Sequence, residues 1–233
     1  MGTMDLRIHD YKNIHAGEDI FVIGTAESLN NVDMPLLRDK ITIGVNTLYL
    51  GFDEWGFEAT YMCLADKIIL IDYGADIMRL KMPLFFGWLA AGEFLGFENY
   101  YKRFGKADPV LIGLKGDLIV DDPEWKDKDL SKGHYGCNAI MLDVGVQLAY
   151  WMGAKNIYLL GIDLPNSGGH YFYGDFPHAG MPTKRFCRPN GRVIKAAAVM
   201  DRSLREEGKV LYNCTPGGNL TGIERVSLGD AAK

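Results

Sequence analysis

Apolar positions along this chain gather into short blocks, and most blocks stop at a glycine or a polar residue. The blocks are "DIFVIG" (19–24), "ITIGVN" (41–46), "ATYMCLAD" (59–66), "MPLFFG" (82–87), "NIYLLGID" (156–163) and "VLYNCT" (210–215). Runs of this length without strict polar alternation predict strands buried on both faces of a parallel sheet. Between the first two blocks, "SLNNVDMPLLRDK" predicts a short helical crossover. "HYGCNAIMLDVGVQLAYWMGAK" (134–155) predicts one long buried helix, closed by Gly153 with Lys155 behind it. "GRVIKAAAVMDRSLREEGK" (191–209) has its apolar residues at helical spacing, and Gly208 marks its end.

Strands alternating with helices predict an α/β, Rossmann-like, doubly wound and mostly parallel sheet within one domain, 1–233. In such a sheet the strand carboxyl ends share one edge, where ligands bind. Thr25, Asn46, Asp66, Asp163 and Asn213 follow or end strand blocks, so all five are predicted to face one cleft. Two segments break the alternation. Residues 88–133 begin aromatic-rich and become acid-rich, which predicts an insertion over the cleft or at an oligomer contact. Residues 164–190 are rich in Gly, Pro and aromatics without periodicity, and predict a lid over the strand C-terminal edge.

The chain has 233 residues, enough for one α/β domain with a sizeable core. Its formal net charge of −5 does not favour nucleic acid as a partner. The first twenty residues lack an apolar signal core, and no apolar run reaches membrane-spanning length. These features predict a soluble, cytoplasmic protein. The four cysteines, Cys63, Cys137, Cys187 and Cys214, fit neither a zinc ribbon nor a disulfide framework, and are expected to be reduced and mostly buried.

The candidate chemistry concentrates around "NIYLLGIDLPNSGGH" (156–170). A strand ends at Asp163, a flexible Pro-Asn-Ser-Gly-Gly follows, and His170 closes the stretch. A loop histidine near a cleft is a candidate general base, and His178 lies eight residues further on. Tyr171, Tyr173 and Tyr135 can donate hydrogen bonds to a departing phosphate. "GTAESLNNVD" (24–33) is a glycine-led turn in which Gly24 and Ser28 precede a helical start, a place that attracts phosphate. It is neither a P-loop nor G-x-G-x-x-G. "KRFCRPNGRVIK" (184–195) carries Lys184, Arg185, Arg188, Arg192 and Lys195 without an acid, a pattern suited to a nucleotide phosphate. Gly136 completes the nucleotide-binding candidates. Asp127 and Asp129 form a D-x-D, but in a lysine-rich polar run that reads as surface charge.

The order "VIGTAESL", "VNT", "LAD", "GVQLAYWMGAKNIYLLGID", "HYF" and "LYNCTPGGNL" resembles the family called domain of unknown function 115. That family includes the archaeal 6-hydroxymethylpterin diphosphokinase and the motility-accessory-factor glycosyltransferases. The same order is similar to the family-42 bacterial sialyltransferases, which use CMP-sialic acid. Their first turn resembles G-N-G-P-S; here it is Gly24-Thr25-Ala26-Glu27-Ser28, with Thr25 for the asparagine and Glu27 for the proline. Asn46 matches the family's second-strand asparagine. His170 is the match for its lid histidine base, with His178 the other candidate, and the lid tyrosines stabilise the departing phosphate. The resemblance implies a nucleotide-sugar-dependent glycosyltransferase with a CMP-sugar donor, a carbohydrate acceptor and no required metal or cofactor. Two alternatives stand beside it. One is a pyrophosphokinase using Mg-ATP, with Asp66 and Asp163 holding Mg²⁺. The other is a nucleotide- or sugar-binding protein without catalysis.

Overall fold

A computed structural model describes residues 5–164, 170–174 and 190–233. Among these residues, eight strands form one parallel sheet. Chain order begins with β1 (Asp19–Ile23), β2 (Ile41–Val45), β3 (Tyr61–Leu64), β4 (Leu84–Phe86) and β5 (Val110–Leu111). β6 (Leu114–Asp117) and β7 (His134–Gly136) pair apart from it as a two-stranded parallel ladder. β8 (Asn156–Leu160), β9 (Val210–Asn213) and β10 (Glu224–Arg225) return to the main sheet. The order across it is β10-β9-β8-β1-β2-β3-β4-β5. The chain thus steps outward from β1 in one direction and from β8 in the other. The two strands lie side by side, with Phe21 opposite Tyr158 and Ile23 opposite Leu160. The winding direction reverses between them, as in doubly wound folds.

The unbroken apolar runs are explained by burial on both faces. Ile20, Val22, Ile43, Val45 and Cys63 enter one core, while Phe21, Ile23, Met62, Leu64 and Phe86 enter the other. Successive residues of a strand point to opposite sides, so each strand feeds both cores. The covering helices are α1 (Phe52–Trp55), α2 (Lys67–Ile77), α3 (Trp88–Gly96), α4 (Glu98–Tyr101), α5 (Leu118–Asp121), α6 (Gln147–Trp151), α7 (Asn190–Arg205) and α8 (Leu228–Ala231). The predicted helical crossover after β1 is two 3₁₀ turns, Glu27–Asn31 and Met34–Leu37.

Three expectations need correction. The long helix over 134–155 does not begin at 134: His134–Gly136 form β7, paired with β6. The helical part starts at Met141 as a π-helix, Met141–Val146, and continues into α6. Gly153, at φ +95°, ends it as predicted. Buried Gln147 stabilises the wide turn: its Nε2 donates to the carbonyls of Tyr135, Leu142 and Asp143, and its Oε1 accepts the Tyr135 N–H. An amide side chain thereby meets carbonyls that a shifted helical register leaves over. The second correction concerns 88–133. Part of this segment belongs to the main sheet, because β5 pairs with β4, and Trp125 is core. Third, Asp66 does not line the cleft that holds Thr25 and Asp163: half-buried, it N-caps α2, accepting the Ile68 N–H at 2.9 Å.

Cys63, Cys137 and Cys214 are free and buried, and burial pushes their thiols up, that of Cys214 to about 12. Cys187 lies outside the described residues. No helix among the described residues is long and apolar enough to cross a membrane.

Candidate functional site

A cleft of about 320 Å³ opens where the winding reverses, at the carboxyl ends of β1, β2 and β8. This lies within the range of small-molecule sites, roughly 300–1,000 Å³. Gly24, Thr25 and Glu27 form one side, and Gly161, Ile162 and Asp163 the other. The two tips are knitted together by backbone. The Gly24 N–H donates to the Leu160 carbonyl (2.7 Å) and the Ala26 N–H to the Gly161 carbonyl (3.3 Å). Gly24 is required by this closeness, since a Cβ there would lie 2.2 Å from the Gly161 oxygen.

Asp163 is the pivot. Its Oδ2 accepts the Ser28 N–H at 3.1 Å, which caps the first 3₁₀ turn. Among the described residues, its buried Oδ1 has no hydrogen-bond partner, and the same holds for the Ser28 hydroxyl. Buried oxygens left unpaired cost stability, roughly 1–3 kcal/mol each, and point to a missing partner. The side-chain oxygen of Asn46 is a third such atom. Asn46 follows β2 at φ +52°, a left-handed conformation that asparagine tolerates, and its N–H donates to the Cys63 carbonyl at 2.9 Å.

The segment 170–174 packs against the first turn. The His170 carbonyl accepts the Glu27 N–H (3.1 Å), and the Phe172 N–H donates to the Thr25 carbonyl (3.1 Å). His170 and Tyr171 thereby line the cleft, with the His170 side chain exposed at its rim. Tyr171 and Tyr173 stack with ring centroids 5.2 Å apart. The Tyr173 hydroxyl shares a 2.8 Å hydrogen bond with Thr47 Oγ1. Burial raises its pKa well above the ordinary phenol value, although the Thr47 bond opposes the shift, so Tyr173 stays protonated at neutral pH.

The structure brings Gly24, Thr25, Asp163, His170 and Tyr171 to this one cleft, with Ser28 bonded into its wall. Asn213 is fully buried and folds its side chain onto Leu220 and Thr215 rather than toward the cleft. Asp66 caps α2 as described, and Gly136 lines a neighbouring cavity. His178, Arg185, Arg188 and the Pro-Asn-Ser-Gly-Gly segment at 165–169 lie outside the described residues. The D-x-D carboxylates serve local structure: Asp127 pairs with Lys115 (3.5 Å), and Asp129 accepts the Ser131 N–H (3.1 Å).

Two polar cleft residues escaped the sequence reading. Asn138 lines the cleft at φ +67°, just before the π-helix. Asn190 opens α7 at the cleft wall, with Val193 one turn on. The available signal was local in both cases, an asparagine at a helix entry, which such residues favour. The amino end of α7 carries partial positive charge and faces this cleft, whereas no Lys or Arg lines it among the described residues.

No protein-family model matches the chain, and no curated protein matches it. The following two are among the solved structures similar to it. One is a MAf glycosyltransferase from Magnetospirillum magneticum AMB-1, with a TM-score of 0.54 and 13% identity over 96% of this chain. The chain spans 38% of the length of that protein. The other is the sialyltransferase CstII from Campylobacter jejuni, solved in complex with a substrate analogue, cytidine-5'-monophosphate. Its TM-score is 0.43, with 13% identity over 91% of this chain and 86% of its own. What this chain shares with the Magnetospirillum protein is the Rossmann-like α/β fold, built on a parallel sheet.

Proposed function

We propose that this protein is a nucleotide-sugar-dependent glycosyltransferase of sialyltransferase-like type, with a CMP-sugar as donor. The observation that carries the reading is the cleft at the winding reversal, with buried unpaired oxygens of Asp163 and Ser28 in its wall and His170 on its rim. Unpaired acceptors in a mainly apolar cleft suit a nucleoside, whose hydroxyls and amine supply donors. The donor phosphate belongs at the amino end of α7, beside Asn190.

In the reaction, the acceptor hydroxyl oxygen bonds to the anomeric carbon of the donor sugar. The bond from that carbon to the phosphate oxygen breaks, and its electron pair leaves with the nucleotide. His170 takes the hydroxyl proton as general base. The Tyr171 hydroxyl and the α7 amino end stabilise charge building on the leaving phosphate. Tyr173 orients Tyr171 by stacking, and its bond to Thr47 anchors the pair to the turn after β2.

Thermal shift with CMP, CDP, UDP, GDP and ATP, each with and without Mg²⁺, tests the reading. A ligand at 100 times its Kd stabilises by about 2.7 kcal/mol. Stabilisation by CMP without metal is expected. Stabilisation by Mg-ATP alone would replace this reading with a pyrophosphokinase, for which Asp163 and Glu27 are the carboxylate residues that line the cleft.

A further inference from the structure

The crevice along the sheet edge continues beyond the first cleft. A second cavity, of about 480 Å³, lies past the ends of β3 and β4, and Asn138 lines both spaces. Ala65 and Trp88 border it on the main-sheet side, and Gly116, Asp117 and Asp121 on the side of β6 and α5. Trp88 is fixed by its backbone: its N–H donates to Nε2 of buried His134 at 3.2 Å, whose Nδ1 faces the Tyr135 carbonyl at 3.2 Å. The Trp88 residue nevertheless stays 53% exposed. Asp121 accepts the Asp117 N–H through Oδ2 at 2.7 Å, and Asp117 pairs with Arg192 of α7.

We propose that this second cavity binds a neutral carbohydrate, with Trp88 as the apolar platform and Asp121 as an acceptor for its hydroxyls. A pyranose ring has a C–H-rich face that packs on an aromatic ring, and its hydroxyls donate to carboxylates. The cavity pairs these two features. It also selects against anionic sugars: Asp117, Asp121 and Asp143 line it, and Arg192 offsets the charge of Asp117 only. Naming this carbohydrate as the acceptor substrate rests on the transferase reading above; its binding does not. The shared Asn138 then has a mechanistic meaning. Two ligands in adjoining cavities of one crevice are held for direct transfer, which removes most of the entropic barrier of a two-substrate reaction.

Saturation-transfer-difference NMR on the full chain tests this, with methyl galactoside, methyl glucoside, methyl mannoside and methyl N-acetylglucosaminide as neutral probes and methyl glucuronide as the anionic one. At least one neutral glycoside is expected to bind saturably, and the glucuronide at least tenfold more weakly. Trp88→Ala and Asp121→Asn should each weaken that binding tenfold or more, while Trp88→Phe, which keeps an aromatic ring, should retain most of it. Nucleotide thermal shifts should be unchanged in all three variants. Absence of binding by every neutral probe, equal binding of the glucuronide, or binding that survives Trp88→Ala and Asp121→Asn overturns the proposal. Nucleotide stabilisation without any glycoside binding would leave the transferase reading standing and remove this site. Glycoside binding without any nucleotide would do the opposite.

Discussion

The Ser28 N–H donates to Oδ2 of Asp163 across 3.1 Å, joining residues 135 positions apart in the chain. One carboxylate thereby holds the turn after β1 against the tip of β8. Its other oxygen is left unpaired in the cleft wall. The same side chain serves the fold with one oxygen and is available to a ligand with the other, so the two roles can be separated by mutation.

Asp163→Ala removes both. It should lower stability by about 1 kcal/mol through the lost cap. Asp163→Asn keeps an acceptor for Ser28 and should stay within about 0.5 kcal/mol of the parent, an ordinary effect of a mild substitution. Both variants should weaken nucleotide binding by about tenfold or more, the worth of a hydrogen bond to a charged group. Urea unfolding and calorimetric titration measure the two effects, and parent-like affinity in Asp163→Asn would show that the free oxygen meets no ligand.

Gly24→Ala should be strongly destabilising. The added methyl meets the Gly161 carbonyl oxygen at 2.2 Å and Met141 Sδ at 2.6 Å. The sulfur can move, but the carbonyl is part of the backbone that forms the cleft. A loss of about 1–3 kcal/mol or more is expected from overpacking, together with loss of nucleotide binding. Unfolding midpoints near the parent value would mean that the two strand tips are less closely joined than described.

His134 predicts a pH dependence of stability. Burial, aided by the charge of Lys115 and opposed by the Tyr135 carbonyl bond, pushes its pKa down to about 4 from the ordinary histidine value of 6.5. The folded state therefore holds it neutral while the unfolded chain binds a proton. Its contribution is complete above pH ~6.5, falls as pH drops toward 4, and flattens below that, a span on the order of 3 kcal/mol. His134→Gln should flatten this part of the curve. Unfolding free energies at pH 7, 5.5 and 4.5 measure it, and parallel curves for parent and variant would assign the acid loss to other groups.

His170→Ala should lower kcat by ~10²–10⁴ and leave nucleotide affinity nearly unchanged, because a general base acts in the transition state. His178→Ala should then be mild. The reverse pattern would transfer the base to His178. Tyr173→Phe should cost about 1 kcal/mol of stability through the bond to Thr47, with a smaller fall in kcat than His170→Ala.

The strands, their parallel arrangement and the location of a cleft were legible in the sequence because each depends on local pattern. An apolar run such as 19–23 must be buried on both faces wherever it sits, and a glycine followed by polar residues must end it at the sheet edge. Thr25 and Asp163 were therefore placed in one crevice by sequence alone, and the comparison with a solved glycosyltransferase agrees with the fold they imply. Strand partners far away in sequence decided the rest. His134–Gly136 looked like the start of a helix until β6, some twenty residues earlier, supplied its hydrogen bonds. Val110–Leu111 is too short to announce itself as a strand, yet the free edge of β4 makes it one. Asp66, Asn213 and Asp163 follow similar apolar runs, and composition cannot tell them apart. Asp66 bends back to cap its own helix, Asn213 is sealed by Leu220 and Thr215, and only Asp163 keeps an oxygen facing the cleft. A strand-end polar residue satisfies its hydrogen bonds with whatever the neighbouring loops offer, and those neighbours are set by three-dimensional packing rather than by the residue's own place in the chain.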